Sequence, residues 1–71
     1  MPIGQRLKKV LDEKGMMQKE LAEKIGVSEM VISRYVHGGR IVSVSILIEI
    51  CKSLNVSADY LLGLSEVEDD T

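Results

Sequence analysis

Apolar residues recur every three or four positions in five successive stretches of the chain, which is the spacing of amphipathic helices. In the first stretch Ile3, Leu7, Val10 and Leu11 share one face, and charged residues occupy the other. No stretch alternates apolar and polar residues over a useful length. The pattern therefore predicts an all-α chain, with helices at about 3–14, 18–25, 28 to the glycines at 38–39, 44–54 and 58–64.

Residues that start and stop helices separate these stretches. Glycines follow the first three stretches and Asn55 follows the fourth, and both residue types adopt the left-handed backbone that ends helices. Ser28, Ser43 and Ser57 precede the last three stretches, where serine is a favoured N-cap. Five short helices with tight links predict a compact five-helix orthogonal bundle. The apolar stripe predicted for the fourth helix consists of Val44, Leu47, Ile50, Cys51 and Leu54.

Length and composition limit the class of protein. A chain of 71 residues holds one domain with a small core. The single cysteine, Cys51, cannot form an internal disulfide or a metal cluster, and it suits a reducing compartment. Residues 1–10 contain no apolar run typical of a secretory signal, and no stretch is apolar enough for a transmembrane helix. We therefore expect a soluble, cytoplasmic protein without metal or cofactor.

Charge is distributed unevenly along the chain. The net charge is −2, but residues 1–65 carry nine basic and seven acidic side chains, and four of the last six residues are acidic. We expect a mildly basic domain at 1–65 followed by an acidic C-terminal tail at 66–71. Such a division can accompany DNA binding, and a solvated chain terminus explains the tail equally well.

The second and third stretches have the spacing of a helix-turn-helix, which is two helices joined by a short turn around a glycine. Ala22 is a small residue where the two helices would cross, and Gly26 occupies the turn. A side chain at position 26 would resist a left-handed backbone. The inward side chains of this unit would be Leu21, Ile25, Val27, Ile32 and Tyr35.

The segment QKELAEKIGVS at 18–28, followed by VISRY at 31–35, resembles the phage-repressor-like helix-turn-helix family, the Cro and lambda-repressor or XRE group. The later segments LNVS at 54–57 and DYLLG at 59–63 also match that family's last two helices. The resemblance covers about residues 3–64. It implies sequence-specific binding of double-stranded DNA by a transcription regulator, with the helix that starts at Ser28 in the major groove.

The resemblance places Ser28, Glu29, Met30 and Arg34 on the surface that contacts bases, and Ser33 is a further outward position. Arg34 suits guanine O6 and N7, although it could be a solvated surface arginine. Glu29 could accept from cytosine N4, or it could only favour the helix dipole in the first turn. Met30 could pack on a thymine methyl group.

Four other residues are candidates for contacts with DNA phosphates. Gln18 begins the second helix, where free backbone N–H groups attract anions, and Lys19 follows it. Gly39 allows a close approach of the backbone to DNA, and Arg40 carries the charge to bind a phosphate. Helix polarity alone could explain Gln18. His37 has no pattern of partners for a metal or catalytic site.

The fourth helix is apolar almost all round, which is unusual for a helix at the surface of a small monomer. Ile46 and Ile48 lie on either side of its stripe. We expect one of them, together with Ile41 or Val42 and part of the last helix, to form a two-fold interface in a homodimer that binds a palindromic operator. Alternatively, both isoleucines contact the first helix of the same subunit.

Three classes of function compete at this point. A repressor that binds a palindromic operator is favoured. A protein-interaction module or antitoxin-like protein on the same fold is the alternative, because the net charge is −2 and we expect apolar residues at the surface. An enzyme is the poorest match, because the chain has one His, one Cys and no phosphate-binding loop.

Overall fold

The computed structural model describes residues 3–38 and 43–68, and these residues form an orthogonal arrangement of five helices. The all-α prediction is confirmed. The first four helices begin and end within one residue of the positions predicted from the sequence. The helices are α1 (Ile3–Lys14), α2 (Gln18–Ile25), α3 (Glu29–Gly38), α4 (Val44–Leu54) and α5 (Ala58–Leu61).

The fifth helix is shorter than predicted and ends at Leu61 rather than near Leu64. Its end is set by the backbone, because Asp59 O accepts hydrogen bonds from both Leu64 N and Ser65 N, at 2.8 and 3.2 Å. Gly63 has a φ of 83°, which is outside the helical region. The apolar residues at 62 and 64 therefore continue the helical spacing without continuing the helix.

Local signals account for most helix boundaries. α1 is followed by Gly15 with a φ of 64°, and α4 is followed by Asn55 with a φ of 55°. Ser57 Oγ accepts a hydrogen bond from Tyr60 N at 3.1 Å and caps α5. α2 begins differently, because Glu20 Oε1 reaches back to accept from Met17 N at 3.1 Å. These contacts satisfy backbone groups that helix ends otherwise leave unpaired.

The core is aliphatic apart from the two tyrosines, and all five helices contribute to it. One part of the predicted stripe on α4 is wrong, since Val44 is 67% exposed instead of buried. Val44 is the first residue of α4 and lies toward Ile48, to one side of the buried centre of the helix. The buried side chains are Ile3, Leu7, Val10, Leu11, Leu21, Ala22, Ile32, Tyr35, Val36, Leu47, Ile50, Leu54, Val56, Tyr60 and Leu61.

Gly4 allows α1 to approach the end of α3 closely. A Cβ atom at this position would lie 2.9 Å from Tyr35 O and would meet Val36 O at an even shorter distance. Both atoms are backbone carbonyl oxygens, so neither can move away as a flexible side chain would. The packing of α1 on α3 therefore depends on the absence of a side chain at Gly4.

The segment after α5 returns to α1 and is held there by polar contacts. The guanidinium of Arg6 donates to Tyr60 O, Ser65 O and Glu66 Oε1 at 2.8, 2.7 and 2.8 Å. Lys9 Nζ lies 3.2 Å from both Tyr60 Oη and Glu68 Oε2. Tyr60, Glu68 and Glu13 together hold the pKa of Lys9 above its usual range. Two acidic residues after position 65 thus neutralise cations of α1.

Candidate nucleic-acid interface

The turn between α2 and α3 is built around Gly26. Its φ of 76° places the backbone in the left-handed region, where glycine carries no steric cost. The N–H groups of Gly26 and Val27 both donate to Ala22 O, the latter at 3.0 Å. Ala22 is 2% exposed, so its small side chain lies between the packed helices. The predicted helix-turn-helix geometry is therefore present at the predicted residues.

α3 has one buried face and one exposed face. Ile32, Tyr35 and Val36 are buried and pack into the core with α1 and α2. The opposite face turns Met30, Arg34 and His37 to solvent, and Glu29 is exposed beside it in the first turn.

The predicted base-contacting residues lie along this exposed face. Ser28 is exposed and stands immediately before α3, next to Glu29 and Met30. Arg34 is exposed one turn after Met30, whereas Ser33 is half-buried beside it. The structure brings four of the five predicted residues together as exposed groups at the start and middle of one helix. This segment is the part of a helix that enters a groove first in a helix-turn-helix.

The guanidinium of Arg34 contacts a thioether rather than a carboxylate. Arg34 Nη2 lies 3.7 Å from Met30 Sδ, which is one helical turn earlier. Within residues 3–38 and 43–68, no carboxylate forms an ion pair with Arg34. Since a thioether sulfur is a weak acceptor, this contact leaves the donors of the guanidinium available for a ligand.

Two of the four residues predicted to contact DNA phosphates belong to the described part of the chain, and they line a groove together with Glu29, which is predicted to contact a base. Gln18 is half-buried and Lys19 is exposed, and both line an open groove of about 380 Å³ together with Glu29. Lys8 and Asp12 of α1, which are paired at 3.1 Å, form part of the same wall. The other two phosphate candidates, Gly39 and Arg40, lie outside the described residues.

The candidates for a two-fold interface are only partly described. Ile41 and Val42 lie outside the described residues. Ile48 is 47% exposed, while Ile46 is half-buried and packs against the core of its own subunit. The exposed Val44 lies one turn before Ile48, so the two form an apolar pair on the surface of α4. The sequence spacing of these two residues could have indicated this pair.

Arg6 and Cys51 are partly buried, and contacts within the domain occupy their side chains. The side chain of Arg6 is only 19% exposed and donates hydrogen bonds to the C-terminal segment. Cys51 is half-buried and packs against the core. In the described part of the chain, no group of three or more His, Cys, Asp or Glu residues is placed to hold a metal ion. No described helix is long and apolar enough to cross a membrane.

Comparison with known proteins identifies related sequences and folds. Residues 7–61 match the helix-turn-helix family. The chain is 39% identical over 67 residues to the HTH-type transcriptional regulator ImmR of Bacillus subtilis (strain 168), which covers 94% of this chain. The chain spans about half the length of that relative, 53%.

Two solved structures of DNA complexes have the same fold. SinR from Bacillus subtilis, solved in complex with DNA, is 38% identical with a TM-score of 0.76, over 84% of this chain and 97% of that one. The P22 c2 repressor, solved with a synthetic operator, is 26% identical with a TM-score of 0.82, over 92% of this chain and 98% of that one.

Proposed function

The chain belongs to the helix-turn-helix family, and from that premise we propose that it is a repressor that binds double-stranded DNA in a sequence-specific manner. The exposed face of α3 carries this proposal, because it presents Glu29, Met30 and Arg34 beside a turn of helix-turn-helix geometry. The similarity to SinR and the P22 c2 repressor, both solved with DNA, supports the same function.

In the proposed complex the N-terminal half of α3 lies in the major groove. Arg34 donates both arms of its guanidinium to guanine O6 and N7, which is the commonest specific contact in such complexes. Met30 packs on a thymine methyl group, and Glu29 accepts from cytosine N4. Ser28 and Ser33 contribute short hydroxyl groups at the edges of this surface.

Contacts with phosphates position the domain on the duplex. We assign these contacts to Gln18 and Lys19 at the start of α2, and to Gly39 and Arg40 after α3. The position of Gln18 and Lys19 beside Glu29 on one groove supports the first pair. For Gly39 and Arg40 the assignment rests on the sequence resemblance alone.

We propose that the protein acts as a homodimer on a palindromic operator, in the cytoplasm. Val44 and Ile48 supply an exposed apolar surface on α4 that a second copy could cover, and Ile46 is half-buried on the same helix. We also assign Ile41 and Val42 to this interface, from their positions in the sequence alone. A two-fold arrangement places the two α3 helices about 34 Å apart, which is one turn of DNA. Each half of the operator would then contact one subunit.

A protein-interaction module is the second candidate function. The exposed apolar residues of α4 and the net charge of −2 favour it. An antitoxin-like protein would combine both functions, with DNA on α3 and a partner on α4. Dependence on salt separates the candidates, because binding to DNA releases counterions and weakens steeply as salt rises.

The experiment for this proposal is selection from a randomised duplex library, followed by titration of the selected and a scrambled duplex at two salt concentrations. An enriched inverted repeat, bound more tightly than scrambled DNA at both concentrations, is the expected result. If no sequence is enriched, or if all duplexes lose binding equally as salt rises, the function would be that of an interaction module.

A further inference from the structure

Met30 and Arg34 form a coupled pair on the exposed face of α3. Met30 is 63% exposed, and its Sδ atom is the described contact of the Arg34 guanidinium, 3.7 Å from Nη2. The two residues are one helical turn apart, so the helix places their side chains next to each other. A solvent-accessible thioether therefore lies against the side chain that we expect to contact guanine.

We propose that Met30 is a site of reversible oxidation, and that its sulfoxide withdraws Arg34 from DNA. The inference rests on the proposed function, because it concerns the same surface. The oxidant is a peroxide. One oxygen atom is transferred from the peroxide to Sδ, so that the O–O bond breaks, the S–O bond forms, and sulfur gives up two electrons. With hydrogen peroxide the other product is water.

The contact with Arg34 converts this oxidation into a change of binding. A thioether sulfur is a weak acceptor, whereas the oxygen of a sulfoxide is a strong one and would stand within reach of the guanidinium. An N–H group that donates to this oxygen is lost to guanine, and the bidentate contact needs two N–H groups in parallel. The added oxygen also places a polar group where Met30 would meet a thymine methyl group.

The chain contains a second methionine of similar exposure away from α3. Met17 is 69% exposed, about as much as Met30, but it precedes α2 and lines the groove with Gln18 and Lys19, so it controls for oxidation beside the proposed phosphate contacts. Met16 packs partly against the core. Peroxide should therefore oxidise Met17 as readily as Met30. Only the product at Met30 lies beside Arg34.

The test compares wild type, Met30→Leu and Met17→Leu, each with and without hydrogen peroxide. Mass spectrometry of peptides counts the oxygen added at each methionine, and fluorescence anisotropy measures affinity for the selected duplex. All samples receive a thiol reductant before titration, so reversible oxidation of Cys51 is undone while sulfoxides remain. Each variant is compared with its own untreated sample, because Met30 belongs to the proposed binding surface.

We expect peroxide to weaken binding by wild type and by Met17→Leu on the order of tenfold, about the value of one bidentate base contact. Met30→Leu should keep its untreated affinity, and methionine sulfoxide reductases should restore the wild type. Full affinity with Met30 oxidised, or an equal loss in Met30→Leu, overturns this inference alone. Absence of specific binding by the untreated chain overturns the proposed function and this inference together.

Discussion

The Tyr35 hydroxyl forms two hydrogen bonds with the backbone of Ser43. Tyr35 Oη donates to Ser43 O at 2.9 Å and accepts from Ser43 N at 3.1 Å. Tyr35 lies near the end of α3, and Ser43 precedes α4, so this pair joins the two ends of the intervening segment. Because the ring is fully buried, the helix that carries the candidate base contacts is fixed to the helix that carries the candidate dimer surface.

Replacement of Tyr35 by Phe should lower the free energy of unfolding by about 1–3 kcal/mol, because two backbone groups of the half-buried Ser43 lose their partner. Chemical denaturation monitored by circular dichroism measures this change. Tyr60→Phe is the matched control, since the Tyr60 hydroxyl contacts only the exposed Lys9 among the described hydrogen bonds. It should cost less than about 1 kcal/mol, and equal losses in the two variants would contradict the role given to Tyr35.

Gly4→Ala should destabilise the domain by about 1–3 kcal/mol or more, since the new methyl group would overlap the carbonyl oxygens of Tyr35 and Val36. The control is Gly38→Ala at the end of α3, where a Cβ atom meets nothing within 4 Å. Gly38→Ala should be neutral or should stabilise by up to about 1 kcal/mol. Thermal unfolding of both variants and of the wild type measures these changes in stability. A Gly4→Ala protein as stable as the wild type would show that α1 can move away from α3.

Arg6→Ala should lower the free energy of unfolding by roughly 1.5–3 kcal/mol, because a largely buried guanidinium holds two carbonyl groups of the C-terminal segment. Glu66→Gln should cost less than about 0.5 kcal/mol, because the side chain of Glu66 is 88% exposed. Lys8→Ala, which removes an exposed ion pair from the same helix, is the control, and its effect on the free energy of unfolding should also be small. Equal losses for Arg6→Ala and Lys8→Ala in urea denaturation would assign Arg6 no special role.

Ile48→Glu should weaken a homodimer by more than roughly tenfold, because it places a charge in the apolar surface that Val44 and Ile48 form. Sedimentation equilibrium at micromolar concentration, alone and with DNA, measures the assembly. Circular dichroism should show unchanged helix content, since Ile48 is exposed in the subunit. Glu49→Lys is the control for a charge change on a different face of α4 and should leave the assembly intact. A wild type that stays monomeric, even on DNA, would remove the proposed dimer.

The order and type of the helices could be predicted because their signals are local. Apolar spacing, glycines and serine caps act within a few residues, and Gly26 illustrates this in both sequence and structure. The prediction failed at two helix ends. Val44, the first residue of α4, lies three positions before the buried Leu47 but to one side of the buried centre of the helix, and it is exposed. α5 ends early because Asp59 O accepts from Leu64 N and Ser65 N, and apolar spacing does not indicate such a turn.

The candidate site divides in the same way. The exposed positions of α3 follow from helical spacing, so Met30 and Arg34 could be identified from the sequence. The engagement of Arg6 could not, because its partners Tyr60, Ser65 and Glu66 lie 54 to 60 residues away. The close approach of α3 to Gly4 could not be predicted either, because a glycine inside a helix does not indicate which backbone packs against it.

The central claim is that α3 contacts base edges through Arg34. The most direct measurement is the affinity of wild type, Arg34→Ala and Lys19→Ala for the selected duplex and for each of its single base-pair variants. We expect Arg34→Ala to cost about 1–3 kcal/mol on the selected duplex and to abolish the preference at one base pair, while Lys19→Ala weakens binding to all duplexes alike. Unchanged affinity and preference in Arg34→Ala, or a uniform loss over all duplexes, would contradict base contact by Arg34.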